Sequence, residues 1–297
     1  MLIDEWRPKL YCKDIECQNL SPNGRVFFLE DGHKYYHEDD ICNGSIKDFE
    51  ESKFAFRSPT GLLKDFYEEF ETEMQAQKYV KKHKLPITWE QLMYAWEMLG
   101  FIASDEGTIL HGYGESLFNG WGMPRPDLHK TQFVEGIHRE LTYKHKLAKT
   151  ELLVYSATIR LAGQVDLLMK NEDSSKYYLY DYKFLREPLE MKSYYNRFTR
   201  RYKMMGGPFN RLMDCSHIHY SIQMELYRYL MGALGKKVVS KKLMVVTPEG
   251  YEFIDGHPMR IWVDKEGVLH ARYPHYKGRI YDSSEDPEYL ENSYRII

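Results

Sequence analysis

The chain has 297 residues, 43% of them hydrophobic, which suffices for a large core in one domain or one and a half. A formal net charge of −3 excludes a global basic field, so any nucleic-acid binding must come from a local basic stripe. The first residues read as no signal peptide, no apolar run reaches bilayer-spanning length, and Cys12, Cys17, Cys42 and Cys215 form no Cys-x-x-Cys pair. The expectation is a soluble intracellular protein without membrane contact, its thiols reduced and structural.

In chain order, residues 25–29 and 34–37 read as a hairpin about the Asp31-Gly32 turn, and residues 38–52 as an exposed acidic loop. Ser58-Pro59-Thr60 opens a helix, with Leu62, Leu63, Phe66 and Phe70 at helical spacing. Residues 73–83 make a second helix, stopped by Pro86. Thr88 and Gln91 fit a capping box, from which a long helix runs to Leu117. On it Gly107, His111 and Glu115 are four apart and share one face, the glycine leaving room for another backbone. Residues 119–131 read as a surface loop and 151–160 as a strand.

Residues 163–183 organise the rest. Two apolar runs flank a polar break at 170–176, which reads as a β-hairpin. Asp166 stands in the first run, and Asp181 and Lys183 in the second. Residues i and i+2 of a strand share a face, so Asp181 and Lys183 point the same way and Asp166 meets them across the pair. Taken alone, Asp-x-Lys reads equally as a strand-edge salt bridge. With His111, two aspartates make a hard, oxygen-rich set suited to Mg²⁺ or Mn²⁺, to which the Tyr182 backbone carbonyl can add a ligand. A lysine beside such an ion orients an attacking water or holds developing charge.

Residues 191–213 contain Lys192, Arg197, Arg200, Arg201, Lys203 and Arg211 without an acidic residue, interleaved with aromatics such as Tyr202. That pattern suits a nucleic-acid backbone with stacked bases, although basic runs are often only solvated loops. An amphipathic helix over 219–234 carries Gln223 and Tyr227 on one face. It ends at Gly235 and leads to strands at 241–247 and 251–254. The last forty residues read as a short strand at 260–263 and a polar tail. The expected fold is α/β or α+β, a central mixed sheet flanked by helices. Three regions are expected: 1–100, an N-terminal hairpin and helical elaboration; 101–255, the core; and 256–297, a C-terminal extension packed on it.

Gly107-Thr-Ile-Leu-His111 with Glu115, Gly163-Gln-Val-Asp166, Asp181-Tyr-Lys183 and Gln223-x-x-x-Tyr227 occur in the order of the PD-(D/E)XK nuclease superfamily. The chain resembles the RecB-type exonuclease branch of phage and bacterial recombination enzymes over roughly residues 25–250. The hairpin containing Lys34-Tyr35, the Ser58-Pro59-Thr60 helix start and Trp96 resemble phage-encoded members. The resemblance implies a restriction-endonuclease-like core and Mg²⁺- or Mn²⁺-dependent hydrolysis of DNA in recombination, repair or degradation. His111, Asp166 and Asp181 would be metal ligands with the Tyr182 carbonyl, and Glu151 or Glu115 a further carboxylate. Lys183 would be the catalytic lysine, with Gln223 and Tyr227 supporting it and contacting DNA. Some relatives carry a four-cysteine iron–sulfur cluster late in the chain, but three of the four cysteines here lie far upstream, so no cluster is expected. DNA ends are the expected partner, in the cytoplasm of a bacterium or a phage-infected cell. The chain has no phosphate-loop motif, so a helicase or recombination partner would be a separate protein.

Overall fold

The computed structural model describes residues 10–11, 26–29, 34–37, 56–156, 158–172, 175–275 and 288–295. Cys12, Cys17, Cys42, the Asp31-Gly32 turn and the acidic loop lie outside the described residues.

Strands β1 (Leu10–Tyr11), β2 (Val26–Leu29) and β3 (Lys34–His37) form an antiparallel sheet. Helix α1 (Pro59–Leu63) starts where Ser58 accepts the Gly61 amide at 2.9 Å, with Pro59 in the first turn, where no amide is needed. It is shorter than the spacing of Phe66 and Phe70 implies. A 3₁₀ turn over Lys64–Phe66 follows, where Phe66 buries edge-on against Phe209, and Phe70 is left exposed. Helix α2 (Thr72–His83) stops at Lys84, which adopts a left-handed φ of 49°, ahead of Pro86. Helix α3 (Trp89–Asn119) has both bonds of the Thr88/Gln91 capping box and runs unbroken to Gly120, where φ is 69°. The expected boundary at residue 100 therefore falls inside one helix. Helix α4 (Thr131–Lys144) was not read from the sequence, although Val134, Ile137 and Leu141 recur at helical spacing and are buried.

The central sheet is mixed, in the order β10-β9-β6-β5-β4. Strands β4 (Lys146–Ser156), β5 (Leu161–Lys170) and β6 (Lys176–Phe184) form an antiparallel meander. A two-stranded hairpin, β7 (Tyr195–Asn196) and β8 (Arg201–Tyr202), comes next, then helix α5 (Ser216–Ala233). Strand β9 (Lys237–Val246) lies parallel to β6, and β10 (Tyr251–Asp255) antiparallel to β9. Residue alternation divides the sheet's two faces. Leu179 and Leu243 pack with Ile222 and Leu230 of α5, whereas Tyr180, Tyr182 and Met244 pack with Ile137 and Leu141 of α4.

The C-terminal stretch is more than a short strand and a tail. Strands β11 (Arg260–Val263), β12 (Val268–His275) and β13 (Glu288–Arg295) form a third antiparallel sheet. Ile261, Leu269, Ala271 and Tyr273 belong to the same apolar cluster as Leu179 and Leu243. The junction is pinned by Glu225, fully buried on α5. It accepts from Arg228 Nε (2.6 Å) and the Ile261 amide (3.2 Å), and pairs with the Lys241 ammonium. A buried charge persists only with such partners. Among the described residues, no helix is long and apolar enough to cross a membrane.

Candidate metal centre

The site forms where the β5–β6 ladder opens. Its last pair is Leu167↔Tyr180, and one further step in that register would set Asp166 opposite Asp181. Two carboxylates in that position repel, and water is excluded from them. The ladder stops there, and the Asp166 carboxylate takes the place of a strand partner: Tyr182 N–H donates to Asp166 Oδ2 at 2.7 Å. Tyr182 thus turns its amide toward the site, and in a strand the carbonyl of the same residue faces the same side.

Strand β4 bends at the same level. Thr150 pairs with Leu167 and Leu152 with Val165, so Glu151 stands opposite Asp166 without a ladder pair. Glu151 adopts a left-handed φ of 46°, a conformation costing a non-glycine residue about 1–3 kcal/mol. His111 of α3 bridges the two strands, with Nε2 3.0 Å from Asp166 Oδ2 and Nδ1 3.2 Å from Glu151 Oε1. Ligand atoms of His111, Glu151 and Asp166 all lie within 4.8 Å of one another. Burial opposes charge on His111, but the two carboxylates outweigh it and raise its pKa well above 6.5. Burial likewise opposes charge on Asp166, and the imidazolium holds that carboxyl below its usual value.

Asp181 lies beside this group and not within it. Its side chain is buried, with Oδ2 in contact with the Lys183 ammonium, and among the described residues Oδ1 accepts no hydrogen bond. Burial, reinforced by Asp166, pushes its pKa up to about 6 against the pull of Lys183. Burial works against charge on Lys183 too, but Asp181 and Asp166 reverse that and raise its pKa. The ammonium also lies 4.7 Å from the Tyr220 ring centre.

Of the two further carboxylates expected, Glu151 stands in the group with His111 and Asp166. Glu115 accepts from Thr150 Oγ1 at 3.4 Å, and Asn119 Nδ2 donates to the same hydroxyl at 2.7 Å. Both helix residues thus fix the residue preceding Glu151. The tight approach expected at Gly107 occurs at Gly114, where an added Cβ would lie 3.1 Å from the Tyr182 hydroxyl; at Gly107 the nearest atom is 4.0 Å away, on Phe184. A side chain makes this approach, not a backbone.

Gln223 and Tyr227, expected to support the lysine and contact DNA, are buried. Gln223 Nε2 donates to the Tyr227 hydroxyl at 3.0 Å. The Tyr227 ring packs on Gly163, where a Cβ would come within 2.7 Å of it. Burial first, then the Asp181 charge, keeps this phenol neutral. The sequence reading missed Tyr35 of β3. It is buried, and its hydroxyl is pushed up by burial and by the charges of Glu151 and Asp166. The Lys34-Tyr35 hairpin was its only sequence signal.

Within the basic stripe, Lys192, Arg197, Arg200, Arg201 and Arg211 are exposed, and Tyr202 is half-buried against Tyr195. Lys203 is committed elsewhere: its ammonium pairs with Asp214 at 2.9 Å and Glu68 at 3.7 Å. His217 bonds the Asp255 carbonyl, and His219 bonds Asp214 while stacking on Tyr67. Cys215 is buried, which raises its thiol pKa. The chain matches no protein-family model, and no curated protein matches it significantly.

Proposed function

We propose that the chain is a divalent-metal-dependent nuclease of PD-(D/E)XK architecture. The carrying observation is the interrupted β5–β6 ladder, with Asp166, Glu151 and His111 gathered on one side and the Asp181–Lys183 pair on the other. One imidazole and two carboxylates suit Mg²⁺ or Mn²⁺, and Asp181 Oδ1 leaves acceptor capacity beside them. A divalent ion bound there supplies Lewis acidity and charge neutralisation for phosphodiester hydrolysis.

The chain's own groups divide the remaining work. Lys183 presents an ammonium, held by Asp181, to orient water and to stabilise charge developing on phosphate oxygens. Asp166 and Glu151 fix His111 in one orientation. Gln223 and Tyr227 act beneath the site by seating β5 through Gly163. The exposed arginines after β6 suit a nucleic-acid backbone. We assign the chain to exonucleolytic DNA processing in recombination, repair or degradation, inside a bacterial or phage-infected cell.

End-labelled linear duplex, single strand and covalently closed circle, each with Mg²⁺ or chelator, test this reading. Metal-dependent loss of the linear substrates is expected, and Lys183→Ala and Asp166→Asn should abolish it. Cleavage of the closed circle would instead indicate a structure-specific endonuclease. Binding without hydrolysis would indicate a non-catalytic DNA-binding subunit.

A further inference from the structure

The β7–β8 hairpin closes over four residues, 197–200, beyond the pairs Tyr195↔Tyr202 and Asn196↔Arg201. At its tip Phe198 is fully exposed, at 101% of its reference area. The turn is held in one shape. Asn196 Oδ1 accepts from the amides of Phe198 (2.9 Å) and Thr199 (3.1 Å), and Arg200 adopts a φ of 52°. Tyr195 and Tyr202 pack edge-on at 5.0 Å and brace the two strands. At the base, the Lys203 amide donates to the Tyr194 carbonyl, and its ammonium pairs with Asp214. Asp214 also holds His219, the neighbour of Tyr220, over whose ring the Lys183 ammonium lies. The hairpin is thereby tied to the end of α5 beside the candidate lysine.

A turn favours small polar residues, and Phe198 buries nothing in the folded chain. Exposed Arg197, Arg200 and Arg201 lie within three residues of it in the same hairpin, so the complementary surface is a polyanion. A planar ring among guanidinium groups suits stacking on a nucleobase. In a duplex each base face is already covered, and opening a step costs unstacking energy. An unpaired base offers its face freely.

We propose that this hairpin reads single-stranded DNA: Phe198 stacks on an unpaired base while Arg197, Arg200 and Arg201 hold the flanking phosphates. It rests on the nuclease reading only in taking DNA as the ligand. The chain would accordingly engage single-stranded ends in preference to flush duplex ends.

The test uses the full chain in chelator, with a single-stranded oligodeoxynucleotide containing 2-aminopurine and a blunt duplex of the same sequence. Wild type should change the 2-aminopurine signal on binding the single strand. Phe198→Ala should lose that change and about tenfold of single-strand affinity, with duplex affinity unaltered, and Phe198→Trp should retain both. Full exposure of Phe198 keeps these variants folded, which circular dichroism checks. The proposal is overturned if Phe198→Ala binds single strand like wild type, if it loses both substrates equally, or if wild type binds neither. Hydrolysis is not measured here, so inactivity with Mg²⁺ would overturn the nuclease reading and leave this one standing.

Discussion

Glu151 Oε1 lies 3.2 Å from His111 Nδ1, and the strand reaches that contact only by placing Glu151 in a left-handed conformation. Backbone strain of this kind persists where surrounding packing over-determines it, and it concentrates at functional sites. The contact is the reason for proposing Glu151 rather than Glu115 as the third ligand. Glu151→Gln should weaken Mn²⁺ binding about tenfold or more by calorimetry, and Glu115→Gln should change it far less. Equal losses in the two variants would refute the assignment.

In the metal-free protein, Asp181 and His111 contribute stability that is lost as pH rises, against an opposite contribution from His257, whose pKa burial lowers to about 4. Asp181 is raised from 3.8 to about 6, and His111 is raised above 6.5. Each holds its proton more tightly folded than unfolded. Each therefore contributes stability that is full below its unfolded value and lost as pH climbs through its folded one. Asp166 is lowered, and its contribution is lost only as pH falls below about 3.8. Asp181 accounts for a decline between about pH 4 and 6, and His111 for a further decline above 6.5. Urea denaturation in chelator should show the stability of wild type relative to Asp181→Asn declining between about pH 4 and 6, a difference from which the His257 contribution drops out. Saturating Mn²⁺ should remove both steps, because the bound ion takes the place of the protons. A wild-type-minus-Asp181→Asn difference that stays flat between about pH 4 and 6 in chelator would sink this account.

Gly163 is a steric requirement of Tyr227. Gly163→Ala sets a Cβ 2.7 Å from the ring and should cost about 1–3 kcal/mol in chemical denaturation. Tyr227→Leu in the same chain should recover part of that loss, since the clash leaves with the ring. Additive costs in the double variant would mean that the two residues do not share the contact.

Salt dependence separates the cations of the stripe. Arg200→Ala with Arg201→Ala should weaken single-strand binding and flatten its dependence on salt. Lys203→Ala should leave the slope near that of wild type, because Asp214 and Glu68 already neutralise that ammonium. A Lys203 effect as large as the arginine effect would put the path of the DNA along the hairpin base.

Much of this fold is visible in local pattern. The capping box at Thr88, the meander around residues 163–183 and helix α5 follow from residue chemistry and spacing within a few residues. His111 and Asp166 meet as their order in the chain suggests. What local pattern does not carry is cross-strand register. The choice of Glu151, the ion pair of Lys203 and the burial of Tyr35 each depend on a partner supplied by another element. The alternation Leu269, Ala271, Tyr273 does mark β12, but its pairing with β13 depends likewise on a distant segment. Helix α4 was readable from Val134, Ile137 and Leu141, but polar side chains on its other face mask the period.

The parallel pairing of β6 with β9 has a consequence for synthesis. Asp181 and Lys183 sit opposite Leu243 and Val245, which the ribosome adds some sixty residues later. Until then β6 is a bare sheet edge, and its acidic and basic side chains stay wet. The nascent chain can hold His111, Glu151 and Asp166 near one another, but it acquires the low-dielectric pocket only after the crossover through α5 has closed.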